Sequence, residues 1–266
     1  MSEPHDVRHT ARILVALDDS SDGLAALEVA ALLAAGIRAE IQGLFIEDDN
    51  LIRAAGLPFT HEISVHSALR HPLTVTGLER QLTSVANQIR DELERTARRA
   101  QVHWSFEVAR GPVLRVTLDH ARYADLIIIG RHCLAPRSQP IRSARQTPPV
   151  KRPILVLFDD SEASTRILEA AASLARDRHV PLDIYVVAAP SAPAAQLQAA
   201  AVSELARQSV IGHVHPGPLE TSQALLAVAR RRRPQLILLN AECRILNEET
   251  LETLVADHDF PVALGR

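Results

Sequence analysis

The sequence predicts an α/β protein that consists of two tandem doubly wound parallel-sheet domains. Three observations support this prediction. An apolar segment that ends in acids occurs twice, at 13–20 and at 154–161, with an offset of 141. Each copy then alternates short apolar runs with helical patterns. The length of 266 residues corresponds to about two domains of roughly 150 residues each.

Short, continuous apolar runs predict the strands. Such runs are typical of parallel strands that helices cover on both faces. In the first copy the predicted strands are 13–17, 40–46, 104–108 and 126–129. In the second copy they are 154–158, 182–187, 210–214 and 236–239, with a last strand at 262–264. Because the copies align strand by strand, we expect the two domains to pack as an intramolecular pseudo-dimer.

Apolar residues at helical spacing predict the helices between these strands. The first helix of the chain is expected to bury Leu24, Leu27, Ala31 and Ala34, and the long helix after the insertion is expected to bury Leu78, Leu82, Val85, Ile89, Leu93, Ala97 and Ala100. The second copy has a shorter Ala-rich helix at 192–206 and another helix at 248–256. Ser20 or Ser21 is the expected N-cap in the first copy, and Ser161 is the expected N-cap in the second.

We place the domain boundary near residue 150. The first domain is then 1–150, with an irregular insertion at about 47–75, and the second, shorter domain is 151–266. Pro136, Pro140, Pro148 and Pro149 argue against a long fourth helix in the first copy. The strand at 153–158 belongs to the second sheet in this division, although it could also complete the first.

Composition excludes several functional classes. A net charge of -3 and 3% aromatic residues provide neither a field nor a stacking surface for nucleic acid. No apolar stretch approaches the roughly 18 residues that span a bilayer, and residues 1–10 do not resemble a secretory signal. Two cysteines cannot form a disulfide framework. We therefore expect a cytoplasmic protein without membrane or nucleic-acid partners.

Several motifs in this order resemble the universal stress protein (UspA) family. They are Val-Ala-Leu-Asp-Asp-Ser at 15–20, the Ala-rich helix that follows, and Asp-Leu-Ile-Ile-Ile-Gly at 125–130 after a Gly-Pro pair. The resemblance covers nearly the whole chain in tandem. It implies doubly wound domains of the adenine nucleotide alpha hydrolase-like type, a role in the stress response, homo-oligomers and, in many members, ATP or another adenine nucleotide at the carboxyl ends of the strands.

The phosphate-binding motif of the family is degenerate in this chain. In nucleotide-binding members the fourth strand leads into Gly-x2-Gly-x9-Gly-Ser/Thr, where backbone amides hold the phosphates. The first copy has Gly130, Cys133 and Ser143 in this frame, and the second has Asn240, Cys243 and Thr253. A side chain at a position that needs positive φ costs roughly 1–2 kcal/mol. We therefore expect no cofactor and no family-like ATP binding.

The resemblance also implies where a degenerate nucleotide or anion site would lie. Asp18 would approach the adenosine and Phe45 the adenine, while Gly130, Arg142 and Ser143 would complete the site. Arg131, Arg137, Arg142 and Arg145 could hold phosphate through their guanidinium groups. The alternative function is thus a protein that binds ATP or ADP and has weak ATPase activity. Otherwise Asp18 is a helix N-terminal acid, Phe45 a core aromatic and the arginine-rich loop a solvated segment.

Other signals have ordinary structural explanations. His213 and His215 would share a strand face, as metal ligands can, but no third ligand is evident. Cys133 and Cys243 occupy equivalent positions and are expected to be small buried hydrophobes rather than a redox pair. The arginines at 230–233 suit a helix C-terminus.

No conventional catalytic set is present. The sequence therefore predicts a non-enzymatic interaction or ligand-sensing module. We expect its partner to be another protein, a second copy of the chain or a small molecule.

Overall fold

A computed structural model describes residues 11–18, 21–58, 60–63, 70–130, 152–188, 193–256 and 260–266. The first half contains β1 (Arg12–Leu17), α1 (Ser21–Ile37), β2 (Glu40–Glu47), α2 (Asp49–Ala55), β3 (His61–Ile63), β4 (Arg70–Pro72), α3 (Val75–Ala100), β5 (Trp104–Arg110), α4 (Val113–His120) and β6 (Leu126–Ile129). The second half contains β7 (Ile154–Phe158), α5 (Glu162–Arg178), β8 (Leu182–Val186), α6 (Ala194–Arg207), β9 (Gly212–Val214), α7 (Ser222–Arg232), β10 (Leu236–Asn240), α8 (Glu248–Ala256) and β11 (Val262–Gly265).

Nine of the described strands form one continuous sheet in the order β5-β2-β1-β6-β11-β10-β7-β8-β9. On either side of β11, the fifth strand of the second copy, the equivalent strands of the two copies follow one another in the same sequence outward. Within each half all neighbouring strands are parallel. The halves meet where β11 pairs antiparallel with β6, from Val262 opposite Ile129 to Gly265 opposite Leu126. The predicted pair of doubly wound parallel sheets is confirmed, and the pairing of β11 with β6 joins the two into one sheet.

Every predicted strand is present to within two residues at each end. The largest difference at a strand start is in β9, which begins at Gly212 rather than at 210. The reason is local, because Ser209 has a φ of +53° and the Val210 amide donates to the Leu205 carbonyl. These residues therefore still belong to the end of α6. Strand β7 pairs with β8 and β10, which both belong to the second half.

Apolar residues cover both faces of the sheet. Helices α1, α3, α5 and α6 pack on one face, and α4, α7 and α8 pack on the other. The predicted buried stripe of α3 is confirmed, with Val85 and Ala100 only partly buried. One prediction for α1 is wrong, since Leu24 is 42% exposed. The buried face of α1 runs through Ala26, Ala30 and Leu33, which leaves Leu24 on the solvent side.

The insertion after β2 is more regular than its sequence indicates. It contains α2 and a two-stranded antiparallel sheet formed by β3 and β4. Asp48 begins α2 by accepting a hydrogen bond from the Asn50 amide at 2.9 Å. For the described residues of the insertion, the prediction of an irregular segment is therefore wrong.

Across the described ranges, no helix has the length and apolar character that a membrane crossing requires.

Candidate functional site

The carboxyl ends of β7 and β10 form the candidate site of the second half. These strands are neighbours, but the helices that follow them, α5 and α8, lie on opposite faces of the sheet. Open α/β sheets bind ligands in the crevice at such a point. Asp159 directly follows β7, and Asn240 is the last residue of β10. We refer to this place, and to its counterpart in the first half, as a crossing point.

A hydrogen-bond network joins the two strand ends. The Oδ1 atom of Asp159 accepts from the amide of Ser161 at 3.1 Å and from its hydroxyl at 2.5 Å. The Nδ2 atom of Asn240 donates to Asp159 Oδ2 at 3.3 Å and to Ser161 Oγ at 3.1 Å. Ser161 Oγ also accepts from the Ser164 amide at 3.1 Å, which confirms Ser161 as the N-cap of α5. Chain segments far apart in sequence are thus held together by polar side chains.

The network keeps the Asp159 carboxylate ionised. Burial raises its pKa, but the hydrogen bonds from Ser161 and Asn240, together with the nearby Ser164 hydroxyl, lower it by more. The net result is a pKa below the ordinary value of 3.8. The next residue, Asp160, has a φ of +63°, so the chain turns sharply between β7 and α5.

The backbone amides of the loop after β10 donate hydrogen bonds within the loop itself. The Glu242 amide donates to Asn240 Oδ1 at 2.9 Å, and the Cys243 amide donates to the Asn240 carbonyl at 3.0 Å. At the start of α8, the Thr250 amide donates to Asn247 Oδ1 at 2.7 Å. The first turn of α8 carries two acids, Glu248 and Glu249. Few amides of this loop are therefore available to bind an anion, and the two acids give the N-terminus of α8 a negative charge.

Cys243 lies beneath this loop and is 3% exposed. Burial raises the pKa of its thiol, and the charge of Asp159 raises it further. The cysteine is therefore a protonated, small apolar residue, as the sequence predicts for this position. Its repeat partner, Cys133, lies outside the described residues.

In the first half, two of the predicted site residues come together. Asp18 follows β1 and Gly130 follows β6, and these strands are paired with Ala16 opposite Ile129. The Asp18 carboxylate lies over the start of α1, because its Oδ1 atom is 2.4 Å from the point that a Cβ on Gly23 would occupy. This arrangement matches an acid at a helix N-terminus, although the role in ligand binding stays a prediction.

Among the other predicted site residues the structure describes Phe45, which is paired in the sheet with Leu17, the residue before Asp18. Phe45 is 4% exposed and packs in the core on the α1 and α3 face, where a core aromatic would lie. Arg142 and Ser143 fall outside the described residues, as does the rest of the arginine-rich loop.

Sequence reasoning did not identify the role of Asn240. The available signal was a polar residue at the end of an otherwise apolar strand, at the position equivalent to Gly130. At that position the first half has a glycine without a side chain, whereas the second half has an amide that links Asp159, Ser161 and Glu242.

His213 and His215 share one face of the sheet, with ring centroids 4.3 Å apart. Within the ranges that the structure describes, no three His, Cys, Asp or Glu side chains are arranged to hold a metal ion.

Comparison with solved structures assigns the fold. A crystal structure of a universal stress protein from Archaeoglobus fulgidus DSM 4304 aligns over 96% of both chains, with a TM-score of 0.54 and 16% identity. The chain has the universal stress protein fold. The predicted resemblance is therefore confirmed at the level of the fold, and the match spans both halves.

Two shorter structures with the universal stress protein fold also match. One, from Archaeoglobus fulgidus in complex with dAMP, covers 43% of this chain and 93% of its own, with a TM-score of 0.35 and 19% identity. Another, in complex with cAMP, covers 44% of this chain and 98% of its own, with a TM-score of 0.36 and 17% identity. No protein-family model matches the sequence, and no curated protein does.

Proposed function

We propose that the protein is a tandem universal stress protein that acts in the cytoplasm as a non-enzymatic interaction or ligand-sensing module. In this proposal it does not bind ATP through a glycine-rich loop. The supporting observation is the closed crossing point of the second half, where Asn240 replaces a glycine and bonds to both Asp159 and the following loop.

Phosphate would meet two obstacles at this point. The amides of Glu242 and Cys243 already donate within the chain, so they would have to leave Asn240 before they could bind an anion. Losing two charge-assisted bonds at roughly 1.5–3 kcal/mol each lowers affinity by about two to four decades. The carboxylates of Asp159 and Glu248 would also repel an anion.

The first half supports a second candidate function, the binding of an adenine nucleotide with weak ATPase activity. Asp18 and Gly130 lie at one crossing point, and the sequence that follows Gly130 contains Arg142 and Arg145. In this alternative the guanidinium groups replace the missing amides as phosphate ligands.

Isothermal titration with ATP, ADP and AMP tests the main proposal. We expect no binding in the micromolar range, and micromolar affinity for any of the three would overturn the proposal. In that case the double variant Arg142→Ala/Arg145→Ala identifies the site. Its matched control is Arg80→Ala/Arg90→Ala, which removes two exposed arginines from α3. Loss of affinity in the first variant alone would establish the alternative function.

A further inference from the structure

A pocket of about 220 Å³ lies at the amino ends of β7 and β8. Its walls are Pro153, Pro181, Asp183, Arg231 and Arg232. Strand β7 runs away from this pocket toward Asp159, and its five residues span roughly 16 Å at about 3.3 Å each. The pocket is therefore separate from the crossing point at the other end of the sheet.

Asp183 and Arg232 form a fixed ion pair at the pocket wall. Asp183 is 3% exposed, and its Oδ2 atom accepts from Arg232 Nε at 2.9 Å and from Arg232 Nη2 at 2.5 Å. His215 Nε2 lies 3.2 Å from Asp183 Oδ1 and 3.3 Å from Arg232 Nη2. These contacts hold the guanidinium plane of Arg232 in place. They use Nε and Nη2, so Nη1 is a further donor.

The pocket has an excess of positive charge. Arg232 compensates the carboxylate of Asp183, whereas Arg231 has neither a hydrogen bond nor an ion pair within the described part of the chain. Two proline rings form walls that carry no charge. An anion in the pocket would thus meet one uncompensated cation beside a second, oriented guanidinium group.

The first half shows that the fold does not require this arrangement. The residue equivalent to Asp183 is Gln42, whose amide donates to Glu107 at 3.1 Å. At the end of α4, His120 Nε2 lies 3.2 Å from the same Glu107. A helix C-terminus favours a cation, and the first half has His120 in the last turn of α4 and Arg122 in the 3-10 turn that follows, where Arg122 lies 3.9 Å from Asp119. The described residues of the first half therefore lack a counterpart of the ion pair that holds Arg232 in the second half.

We propose that Arg231 and Arg232 bind a small phosphate-type oxyanion in this pocket, either inorganic phosphate or a phosphate monoester. Guanidinium groups match the geometry of phosphate oxygens and bind them with charge-assisted hydrogen bonds. Because the site is open and has two arginines only, we expect a dissociation constant on the order of 1 mM.

The test is calorimetric titration of the full chain with inorganic phosphate in a low-salt buffer free of phosphate. We expect saturable binding of one phosphate per chain, which Arg231→Ala weakens at least about tenfold, the loss of one charge-assisted contact. The matched control is Arg230→Ala, which removes the same charge from the same helix at a residue outside the pocket. The control should change affinity less than about twofold.

Two results would overturn the proposal. One is the absence of saturable binding, and the other is an equal loss in Arg230→Ala and Arg231→Ala, which would indicate general charge attraction. A parallel titration with glycerol 3-phosphate distinguishes the sources, since tighter binding of the ester favours a monoester and equal or weaker binding favours the free ion. Because the pocket and the crossing points are distinct, nucleotide binding that survives Arg231→Ala would contradict only the proposed function.

Discussion

Replacing Asp159 with asparagine tests the network at the crossing point of the second half. The substitution keeps the size of the side chain but removes its charge. The carboxylate accepts three hydrogen bonds, two from Ser161 and one from Asn240. The side-chain oxygen of an asparagine can still accept some of these hydrogen bonds, but its NH2 group would replace the other carboxylate oxygen and would face a donor. Hydrogen bonds to charged groups contribute roughly 1.5–3 kcal/mol each. Since the site is partly exposed and some bonds remain, we expect a loss of about 2 kcal/mol at pH 7.

The pH dependence of this loss identifies the charge as its cause. The pKa of Asp159 in the folded protein lies below 3.8, so the unfolded chain binds this proton more readily. The stabilisation is therefore fully present above the unfolded pKa, and it disappears as the pH falls through the folded pKa. The difference in free energy of unfolding between the wild type and Asp159→Asn should be constant from pH 7 to about 5 and should shrink below about 4.

Urea unfolding at a series of pH values measures this difference. The matched control is Asp160→Asn, because Asp160 is exposed and asparagine tolerates its φ of +63°. The control should change the free energy of unfolding by less than about 0.5 kcal/mol. A loss in Asp159→Asn that equals the loss in the control, or that persists undiminished at pH 3, would refute the reasoning.

Three further predictions concern packing. Gly23→Ala should destabilise the protein by about 1–3 kcal/mol in thermal unfolding, because the added Cβ would lie 2.4 Å from Asp18 Oδ1. The control Gly36→Ala should be neutral or stabilising by up to about 1 kcal/mol, and equal effects of the two substitutions would contradict this prediction. Tyr185→Phe should leave the free energy of unfolding unchanged or raise it by about 1 kcal/mol, because the buried Tyr185 hydroxyl has no hydrogen-bond partner within the described residues. A loss above about 1 kcal/mol in urea unfolding would contradict this prediction. Leu264→Ala should lower the free energy of unfolding by about 3 kcal/mol, since Leu264 is 1% exposed. The fluorescence of the single tryptophan, in β5, should report the same shifted unfolding transition as circular dichroism. An unshifted tryptophan signal would show that the halves unfold independently.

Most of the sheet could be predicted from the sequence because its strands are short and buried on both faces. In β6 and β7 every residue is buried, so each strand is an unbroken apolar run with a clear start and end. Helix α2 has seven residues and no long apolar period, and for this reason its sequence resembles a loop.

The network at the crossing point could not be predicted in the same way. Asp159 and Asn240 are 81 residues apart, and their contact depends on the register of β7 with β10. The junction between the halves is similar, because nothing in the sequence of β11 indicates that its free edge pairs antiparallel with β6. Local patterns specify elements, whereas these contacts depend on how the elements assemble.

The position of β11 has a consequence for chains that lose their last residues. This strand forms hydrogen-bonded pairs on both sides, with β10 and with β6. Proteolysis after Phe260 would therefore expose the apolar edges of β6 and β10, which have four and five residues, in the middle of the sheet. Such borders readily recruit strands from other molecules. A clipped preparation should accordingly form aggregates rich in intermolecular β-structure, whereas in the intact chain the margins of the nine-stranded sheet are β5 and β9.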